Sequence, residues 1–228
     1  MDFEGTYGLD YAAIIRRSIP AYEALLEIGA AALAATVPEA ATALVVGPGR
    51  GEELPGLLEA LPRAGFTLVE PSAAMATACG QVLTLAGARG RCRLLTQRLQ
   101  DWDAGQKNRF DAVIALNVLH LLPSEEQAGL LQQLADRVAP GGSLLLSGYS
   151  EDPDAAGFAV LLSVAQERLK RLGCDAATVE RVLASRGTSV FGVQEHQLTH
   201  GLIAAGLEPP RCLLQALAIR LWLSRRPA

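Results

Sequence analysis

Residues 42–54, Thr-Ala-Leu-Val-Val-Gly-Pro-Gly-Arg-Gly-Glu-Glu-Leu, are the stretch that decides the fold. The apolar run from Ala43 to Val46 is partly β-branched, which is typical of a buried strand. Glycines follow at alternate positions and remove the Cβ atoms that would keep a ligand at a distance. From Glu52 onward, leucines at helical spacing predict a helix. A strand that passes through a glycine turn into a helix predicts a nucleotide-binding site.

The spacing of the glycines separates two kinds of ligand. A dinucleotide site needs the pattern G-x-G-x-x-G, because its third glycine lets the helix pack closely on the strand. Here the third glycine comes one position early, at Gly51, and Glu52 occupies the slot that the pattern reserves for glycine. The spacing therefore disfavours an NAD enzyme. A tight turn without a ligand stays open as the other interpretation of this stretch.

Composition and length set the class of protein. The chain has 228 residues, of which 50% are hydrophobic and 19% charged, and its net charge is −4. These values predict one globular domain over residues 1–228 and disfavour nucleic acid or an anionic membrane as partner. The four cysteines form no C-x-x-C pair, and the first residues carry acidic side chains rather than a long apolar run. We therefore expect reduced, mostly buried thiols and a cytoplasmic location.

Strand-like and helix-like segments alternate from residue 42 to residue 149, which predicts a parallel sheet with helices on both faces. In such sheets a ligand binds beyond the carboxyl ends of the strands. The second strand ends at Glu70, about twenty residues after the glycine turn, where a carboxylate can accept both hydroxyls of a ribose. The residues expected at this edge are Gly47–Gly51, Glu70, Arg98, Leu99, Asn117 and Tyr149.

Three segments lie outside this alternation. Residues 9–36 predict helices, with Pro20 in the first turn of the second helix. These helices either cap the ligand site or pack on the edge of the sheet. Residues 154–191 contain two helical patterns where one connection would suffice. We expect them to form a lid over the site or a dimerisation surface, so a homodimer is one expected assembly. Residues 211–226 predict an antiparallel strand pair or one long strand.

Four segments resemble the class I S-adenosylmethionine (SAM)-dependent methyltransferases, and this similarity extends over essentially the whole chain. They are residues 44–51, 69–75, 110–113 and 139–144. The resemblance implies an α/β fold: a Rossmann-like, mostly parallel sheet with an antiparallel last strand, helices on both faces and a helical insertion after strand five. It also implies SAM as cofactor, S-adenosylhomocysteine (SAH) as product, and a small-molecule acceptor.

A narrower resemblance concerns residues 17–22, Arg-Ser-Ile-Pro-Ala-Tyr, and the insertion. Both are similar to the carboxy-SAM synthases of tRNA wobble-uridine modification and to their methyltransferase relatives. In that group the tyrosine after the proline contacts the cofactor, which implies that role for Tyr22. The remaining implied contacts are Gly47, Pro48 and Gly49 with the methionine part, Glu70 with the ribose, Pro71 with the adenosine, and Asn117 with the cofactor.

Two departures from the family pattern affect the expected ligand. Many relatives have an Asp after strand three that accepts the adenine amino group, whereas this chain has Arg98 and Leu99 there. Arginine cannot accept a hydrogen bond, so adenine would be held by the backbone or by stacking on the guanidinium. The synthases bind the added carboxylate through an arginine of the insertion. Arg181 and Arg186 lie near that position without a clean alignment, which favours ordinary SAM.

Methyl transfer from a sulfonium needs positioning and a dry site, and needs a base only if the nucleophile carries a proton. His120 is the candidate base, and Tyr149 is the candidate for orienting the acceptor; packing is the other interpretation of each. His196 and His200 have a metal-like spacing, but no third ligand is evident, so we expect no metal.

The sequence therefore predicts a SAM-dependent methyltransferase that acts on a small molecule. A carboxy-SAM synthase-like enzyme and a non-catalytic SAM-binding protein are the alternatives.

Overall fold

A computed structural model describes residues 15–102, 108–151 and 157–228. The described residues form one seven-stranded sheet with the order β3-β2-β1-β4-β5-β7-β6. The strands are β1 (Thr42–Val46), β2 (Gly65–Val69), β3 (Cys92–Leu95), β4 (Phe110–Leu116), β5 (Val138–Tyr149), β6 (Arg211–Ala216) and β7 (Ile219–Arg225).

The α-helices of the described part connect these strands. They are α1 (Tyr22–Thr36), α2 (Leu54–Ala60), α3 (Ala73–Leu85), α4 (Ser124–Asp136), α5 (Phe158–Arg171), α6 (Ala176–Ala184) and α7 (Glu195–Ala204). The Ser72 hydroxyl caps helix α3, since it accepts a hydrogen bond from the Met75 N–H at 3.2 Å. Helix α4 begins at Ser124, which is its first helical residue.

Two hydrophobic cores lie on opposite faces of the sheet. Leu25 and Leu33 of α1 pack in one core with Leu54 of α2 and Leu83 of α3. The other core contains side chains of α4 and α7 together with Trp222, which is 1% exposed. The helices thus cover both faces, as predicted, because strands buried on both faces need an apolar layer on each side.

Parallel pairing places the ends of the central strands at one edge. In β1, Val46 is in register with Val69 of β2, and β1 is also parallel to β4. Among the seven described strands only β7 runs in the opposite direction, since it lies between β5 and β6 and is antiparallel to both. The predicted sheet is therefore confirmed, and residues 211–226 form the strand pair rather than one long strand.

Residues 139–142, Ala-Pro-Gly-Gly, lie inside β5, although such a run ordinarily indicates a turn. On β4, Phe110 pairs with Val138 and Ala112 pairs with Ser143, so β5 contains extra residues between these two points. Backbone crowding accounts for glycine here, since a Cβ on Gly142 would lie 2.9 Å from the carbonyl oxygen of Asp111. The strand is continuous because the bulge accommodates the extra residues without ending the pairing.

The two predicted helical additions are present where the structure describes them. Residues 15–18 are helical, and α1 follows a break at Ala21, which has a left-handed φ of 58°. The expectation for Pro20 is wrong, because α1 begins at Tyr22 and Pro20 lies before its first turn. In the insertion, α5 and α6 pack against each other. The expectations for residues 9–14 and 154–156 lie outside the described residues. No helix in the described ranges has the length and apolar character needed to cross a bilayer.

The expectation of mostly buried thiols is wrong. Only Cys79 is buried among the four free cysteines; Cys92 and Cys174 are partly exposed and Cys212 is exposed. Cys212 lies on β6, the edge strand of the sheet, where one side of the strand has no covering neighbour.

Candidate active site

The glycine turn begins directly at the end of β1. Gly47 has a φ of 65° and donates its N–H to the carbonyl of Val69 at 2.9 Å. A Cβ at this position would lie 2.7 Å from Val118, so the turn requires glycine for both its backbone angle and its close contact. Helix α2 begins only at Leu54, later than the sequence predicts. The glycine turn, rather than the first turn of α2, therefore lines the site.

Glu70 joins the ends of two strands. Its carboxylate accepts the N–H of Gly49 at 2.9 Å and the N–H of Ser72 at 2.9 Å. The residue is buried at 6% exposure, and its own N–H is bonded to the carbonyl of Leu95. Each carboxylate oxygen has two lone pairs, so Glu70 retains the capacity to accept further hydrogen bonds.

A cavity of about 670 Å³, here named the glycine-turn cavity, opens beside these residues. Every residue that the sequence predicts as a cofactor contact lines it: Tyr22, Gly47, Pro48, Gly49, Glu70, Pro71, Arg98, Leu99 and Asn117. Tyr22 and Leu99 are buried, and Arg98 is exposed at the rim.

The glycine-turn cavity is acidic. Among the described residues its lining includes the carboxylates of Glu52, Glu53, Glu70 and Glu126 and two arginines, Arg50 and Arg98. Burial raises the pKa of Glu53 to about 8, and the nearby carboxylates of Glu52 and Glu70 contribute to the rise. Glu53 is therefore neutral at neutral pH, so the negative charge of the lining comes from Glu52, which is paired with Arg16, and from Glu70 and Glu126. This charge favours a cationic occupant.

The first described residues close this cavity from outside. The Arg16 guanidinium forms an ion pair with Glu52, with Nη1 2.9 Å from Oε2, and lies over the ring of Tyr22 at 5.5 Å. Ile15 lines the cavity beside them. These contacts fix the segment before α1 against the start of α2 and over the glycine turn.

Asn117 lies at the end of β4 with a left-handed φ of 59° and an exposure of 8%. Its N–H is bonded to the carbonyl and the hydroxyl of Ser147, each at 3.0 Å. Its side-chain Oδ1 is buried and accepts no hydrogen bond from the described residues. An unsatisfied buried oxygen costs about 1–3 kcal/mol, and this oxygen is therefore available to a bound ligand.

Asn117 also lines a second cavity of about 480 Å³, here named the insertion cavity. Most of its lining is apolar and comes from α5, α6 and the segment before α1. The insertion returns to the sheet edge through Phe191, whose N–H donates to the carbonyl of His120 at 2.7 Å, and Val193, whose N–H donates to the carbonyl of Tyr149 at 2.9 Å. These bonds place the insertion beside the strand ends.

His120 lines the insertion cavity and is buried at 8% exposure. Its Nδ1 accepts the N–H of Tyr149 at 3.2 Å, and burial lowers the pKa of the ring to about 4. The ring is therefore neutral at neutral pH with its proton on Nε2. In this tautomer Nε2 donates a hydrogen bond and cannot take a proton, so the general-base role expected for His120 does not fit this geometry.

Tyr149 also lines the insertion cavity. Its hydroxyl accepts a hydrogen bond from Arg186 Nε at 2.8 Å, and Arg186 is also paired with Glu151. Burial raises the pKa of Tyr149 to about 12, with the charge of Glu151 adding to the rise and Arg186 opposing it. The phenol is therefore neutral, and it fixes the Arg186 side chain at the cavity wall.

Sequence reasoning missed two groups of lining residues. Glu53 and Glu126 line the glycine-turn cavity, and Arg168 lines the insertion cavity. Glu53 follows the glycine turn directly, so an acidic pair after the third glycine was an available signal. Arg168 carried no such signal, because a charged residue on an amphipathic helix usually faces solvent.

Residues 44–144 match the model of a methyltransferase-domain family. That segment runs from β1 into β5 and includes the glycine turn, Glu70 and Asn117. No curated protein sequence matches the chain significantly.

Several solved structures share the fold. An O-methyltransferase family protein from Burkholderia thailandensis has 16% identity and a TM-score of 0.65, with 96% of this chain and 57% of that chain covered. The mitomycin 7-O-methyltransferase MmcR has 23% identity and a TM-score of 0.62, with 90% and 54% covered. The magnesium protoporphyrin IX methyltransferase ChlM from Synechocystis PCC 6803, crystallised with SAH, has 20% identity and a TM-score of 0.65, with 99% and 97% covered.

This chain spans slightly more than half the length of the first two of these proteins and nearly all of the third. At these identities the likeness shows the fold. The chain thus has the fold of a class I methyltransferase, with a methyltransferase domain matched over residues 44–144.

Proposed function

We propose that this protein is an enzyme that transfers a methyl group from SAM to a small-molecule acceptor and releases SAH. The observation that carries the proposal is the meeting of two cavities at Asn117, beyond the carboxyl ends of β1, β4 and β5. Two-substrate transfer needs two adjoining sites, one for the donor and one for the acceptor. The methyltransferase match supports the chemistry, and the small molecules named for the mitomycin and protoporphyrin enzymes support the acceptor class.

The residues of the glycine-turn cavity fit SAM. SAM carries a sulfonium and an ammonium against a single carboxylate, so an acidic lining suits it. A Cβ on Gly49 would meet no atom within 4 Å, so the turn faces open space at this point. The buried Oδ1 of Asn117 can accept a hydrogen bond from the cationic end of the ligand.

Each predicted cofactor contact then has a proposed role. Glu70 accepts from the ribose hydroxyls, and Gly47, Pro48 and Gly49 hold the methionine part. Pro71 and Leu99 bound the adenine, and the Arg98 guanidinium stacks on it. Tyr22 closes the cavity from α1 beside the Arg16–Glu52 ion pair.

Bound SAM supplies an electrophilic methyl carbon, to which an acceptor lone pair forms its bond in line as the carbon–sulfur bond breaks and leaves its electrons on sulfur. The protein contributes position and the exclusion of water. In this proposal His120 is not the base. It donates from Nε2 to the acceptor, and Tyr149 holds Arg186 in place, so both act by orienting the acceptor in the insertion cavity.

Two alternatives make different demands on the same site. A carboxy-SAM synthase-like enzyme would use prephenate and bind a carboxylate next to the sulfonium. The arginines that line the insertion cavity support this alternative, because they could bind such a carboxylate. A non-catalytic SAM-binding protein would use the glycine-turn cavity alone and produce no SAH with any acceptor.

The helical insertion acts as a lid in this proposal, because α5 and α6 supply one wall of the acceptor cavity. A homodimer contact is the second proposed role. Val160 and Val164 on α5 are 63% and 47% exposed, and sedimentation velocity would show whether they cover a second copy. Val160→Ser and Val164→Ser would then return a dimer to the monomer.

Native mass spectrometry of the purified chain, followed by denaturing analysis of bound small molecules, tests the cofactor. We expect SAM or SAH at one molecule per chain. Methyl-labelled SAM with a panel of small acids, phenols and amines then tests transfer, read as labelled product and an equal amount of SAH. Bound carboxy-SAM would favour the synthase, and SAM binding without turnover would favour the non-catalytic protein.

A further inference from the structure

We infer that the insertion cavity selects an acceptor that is an apolar organic acid, bound as its carboxylate anion by Arg168 and Arg181 of the insertion. This inference rests on the proposed function, since it names the class of acceptor for that reaction. It is carried by the charges of the described residues that line the cavity and not by the fold.

The charged side chains that the structure describes in the lining of the insertion cavity are all positive. Among the described residues of the insertion cavity there are three arginines, Arg168, Arg181 and Arg186, and no aspartate or glutamate. The walls around them are mainly aliphatic. Arg168 and Arg186 are partly buried, so screening of their charge is weaker than at an open surface, whereas Arg181 is exposed.

The three arginines differ in what already neutralises them. Arg186 is paired with Glu151 and bonded to the Tyr149 hydroxyl, so its charge is compensated. Arg168 donates to the backbone carbonyl of Arg17, and Arg181 donates to the Thr178 hydroxyl at 3.1 Å. No carboxylate of the described residues lies within ion-pair distance of either one. Neither guanidinium is therefore held in an ion pair, although the charge of Arg181 adds to the Thr178 hydrogen bonds in lowering the pKa of the Asp175 carboxyl.

The chemistry of the remaining polar groups agrees with an anion. The His120 ring presents a donor at Nε2, and the Tyr149 phenol stays protonated at neutral pH. None of these groups removes a proton from an acceptor. A carboxylic acid is already ionised at neutral pH, so its oxygen can form the bond to the methyl carbon with no proton to lose, while the carbon–sulfur bond breaks and leaves its electrons on sulfur. A guanidinium also matches the two carboxylate oxygens with paired donors.

The test uses matched pairs that differ only in charge: 2-naphthoate with 2-naphthamide, salicylate with salicylamide, and decanoate with decanamide. Each is titrated calorimetrically into the full chain saturated with SAH. We expect at least one carboxylate to bind about tenfold or more tightly than its amide, and Arg181→Gln to remove most of that preference. Arg168→Gln is expected to act in the same direction.

Arg171→Gln is the matched control. Arg171 lies on α5 as well, but its side chain is 79% exposed, paired with Glu167, and outside the lining of the insertion cavity. It should leave the preference unchanged. Circular dichroism and SAH binding report whether each variant is folded.

The outcomes separate this inference from the proposed function. If SAH binds but no carboxylate is preferred over its amide, the acceptor assignment is overturned while the function stands. If SAH itself does not bind, the proposed function fails first. A carboxylate could also belong to the cofactor, so the same variants are titrated with SAM and carboxy-SAM. Loss of affinity for carboxy-SAM alone in Arg181→Gln would assign the arginines to the cofactor and contradict the acceptor assignment.

Discussion

The two cavities of this protein share a wall and have opposite charge. Ile15, Asn117 and Leu121 line both of them. The described lining of the glycine-turn cavity has two arginines and four glutamates, of which Glu53 is neutral at neutral pH, whereas that of the insertion cavity has three arginines and no carboxylate. We propose that this difference in charge separates the two reactants: the insertion cavity would repel the cationic cofactor, and the glycine-turn cavity would repel an anionic acceptor.

The largest effect expected on this comparison comes from Glu70→Ala. The change removes the proposed partner of the ribose hydroxyls and frees the Gly49 N–H. Hydrogen bonds to a charged group contribute about 1.5–3 kcal/mol, so we expect the Kd for SAM to rise about 10- to 100-fold. Glu59→Ala, exposed on α2, is the control. Calorimetry that found unchanged SAM affinity in Glu70→Ala would remove Glu70 from the cofactor site.

His120→Gln tests whether the insertion cavity holds a neutral ring. The native pKa is about 4, below the ordinary value of 6.5, so the unfolded chain binds a proton between these pH values and the native chain does not. Stability is therefore lost as pH falls from 6.5 to 4, by up to about 3 kcal/mol. The variant should lose that much less in urea denaturation between pH 7 and 4. His196→Gln, exposed on α7, is the control. An equal loss in both variants would mean that the ring is charged in the native state.

Glu53→Gln tests whether negative charge in the glycine-turn cavity strengthens SAM binding. With a pKa of about 8, Glu53 is neutral below that pH and becomes a carboxylate above it. Its charge should strengthen SAM binding as pH rises from 7 to 9. We expect wild-type affinity relative to the variant to increase about three- to tenfold over this range. SAM itself titrates in this pH range, so we compare the affinities of wild type and variant at each pH, which removes the contribution of SAM. A ratio that stays flat would place Glu53 away from the cofactor.

Tyr149→Phe should have the smallest effect and act on the other cavity. It removes the acceptor for Arg186 Nε and leaves the ring in place. This bond contributes about 0.5–1.5 kcal/mol, but it ends on Arg186 and not on Arg168 or Arg181, so we expect only part of it to be lost and the preferred carboxylate to bind less than about threefold more weakly. SAM affinity should not change. A loss of SAM affinity of equal size would show that the two cavities are not separate sites.

The same contrast explains what could be predicted from the sequence. The glycine-turn cavity was predictable because β1, β2 and β4 are short regular strands, and parallel pairing brings Gly47, Glu70 and Asn117 to one edge. These residues follow their strands directly, so their order in the chain fixes their place in the fold.

The insertion cavity was not predictable in the same way. Arg168 and Arg181 reach it from two helices whose packing depends on tertiary contacts, and helical periodicity alone places such side chains in solvent. The tautomer of His120 was hidden as well, because it depends on the N–H of Tyr149, a residue 29 positions away in the chain. The bulge in β5 escaped prediction because a Pro-Gly-Gly run ordinarily indicates a turn.

The most direct test of the two-cavity account is a crystal structure of the full chain grown with SAH. We expect one SAH per chain in the glycine-turn cavity, within hydrogen-bond distance of Glu70 and bounded by Leu99, with the insertion cavity left free beside Asn117. SAH lying in the insertion cavity, or absent from the glycine-turn cavity at saturating concentration, would contradict the account.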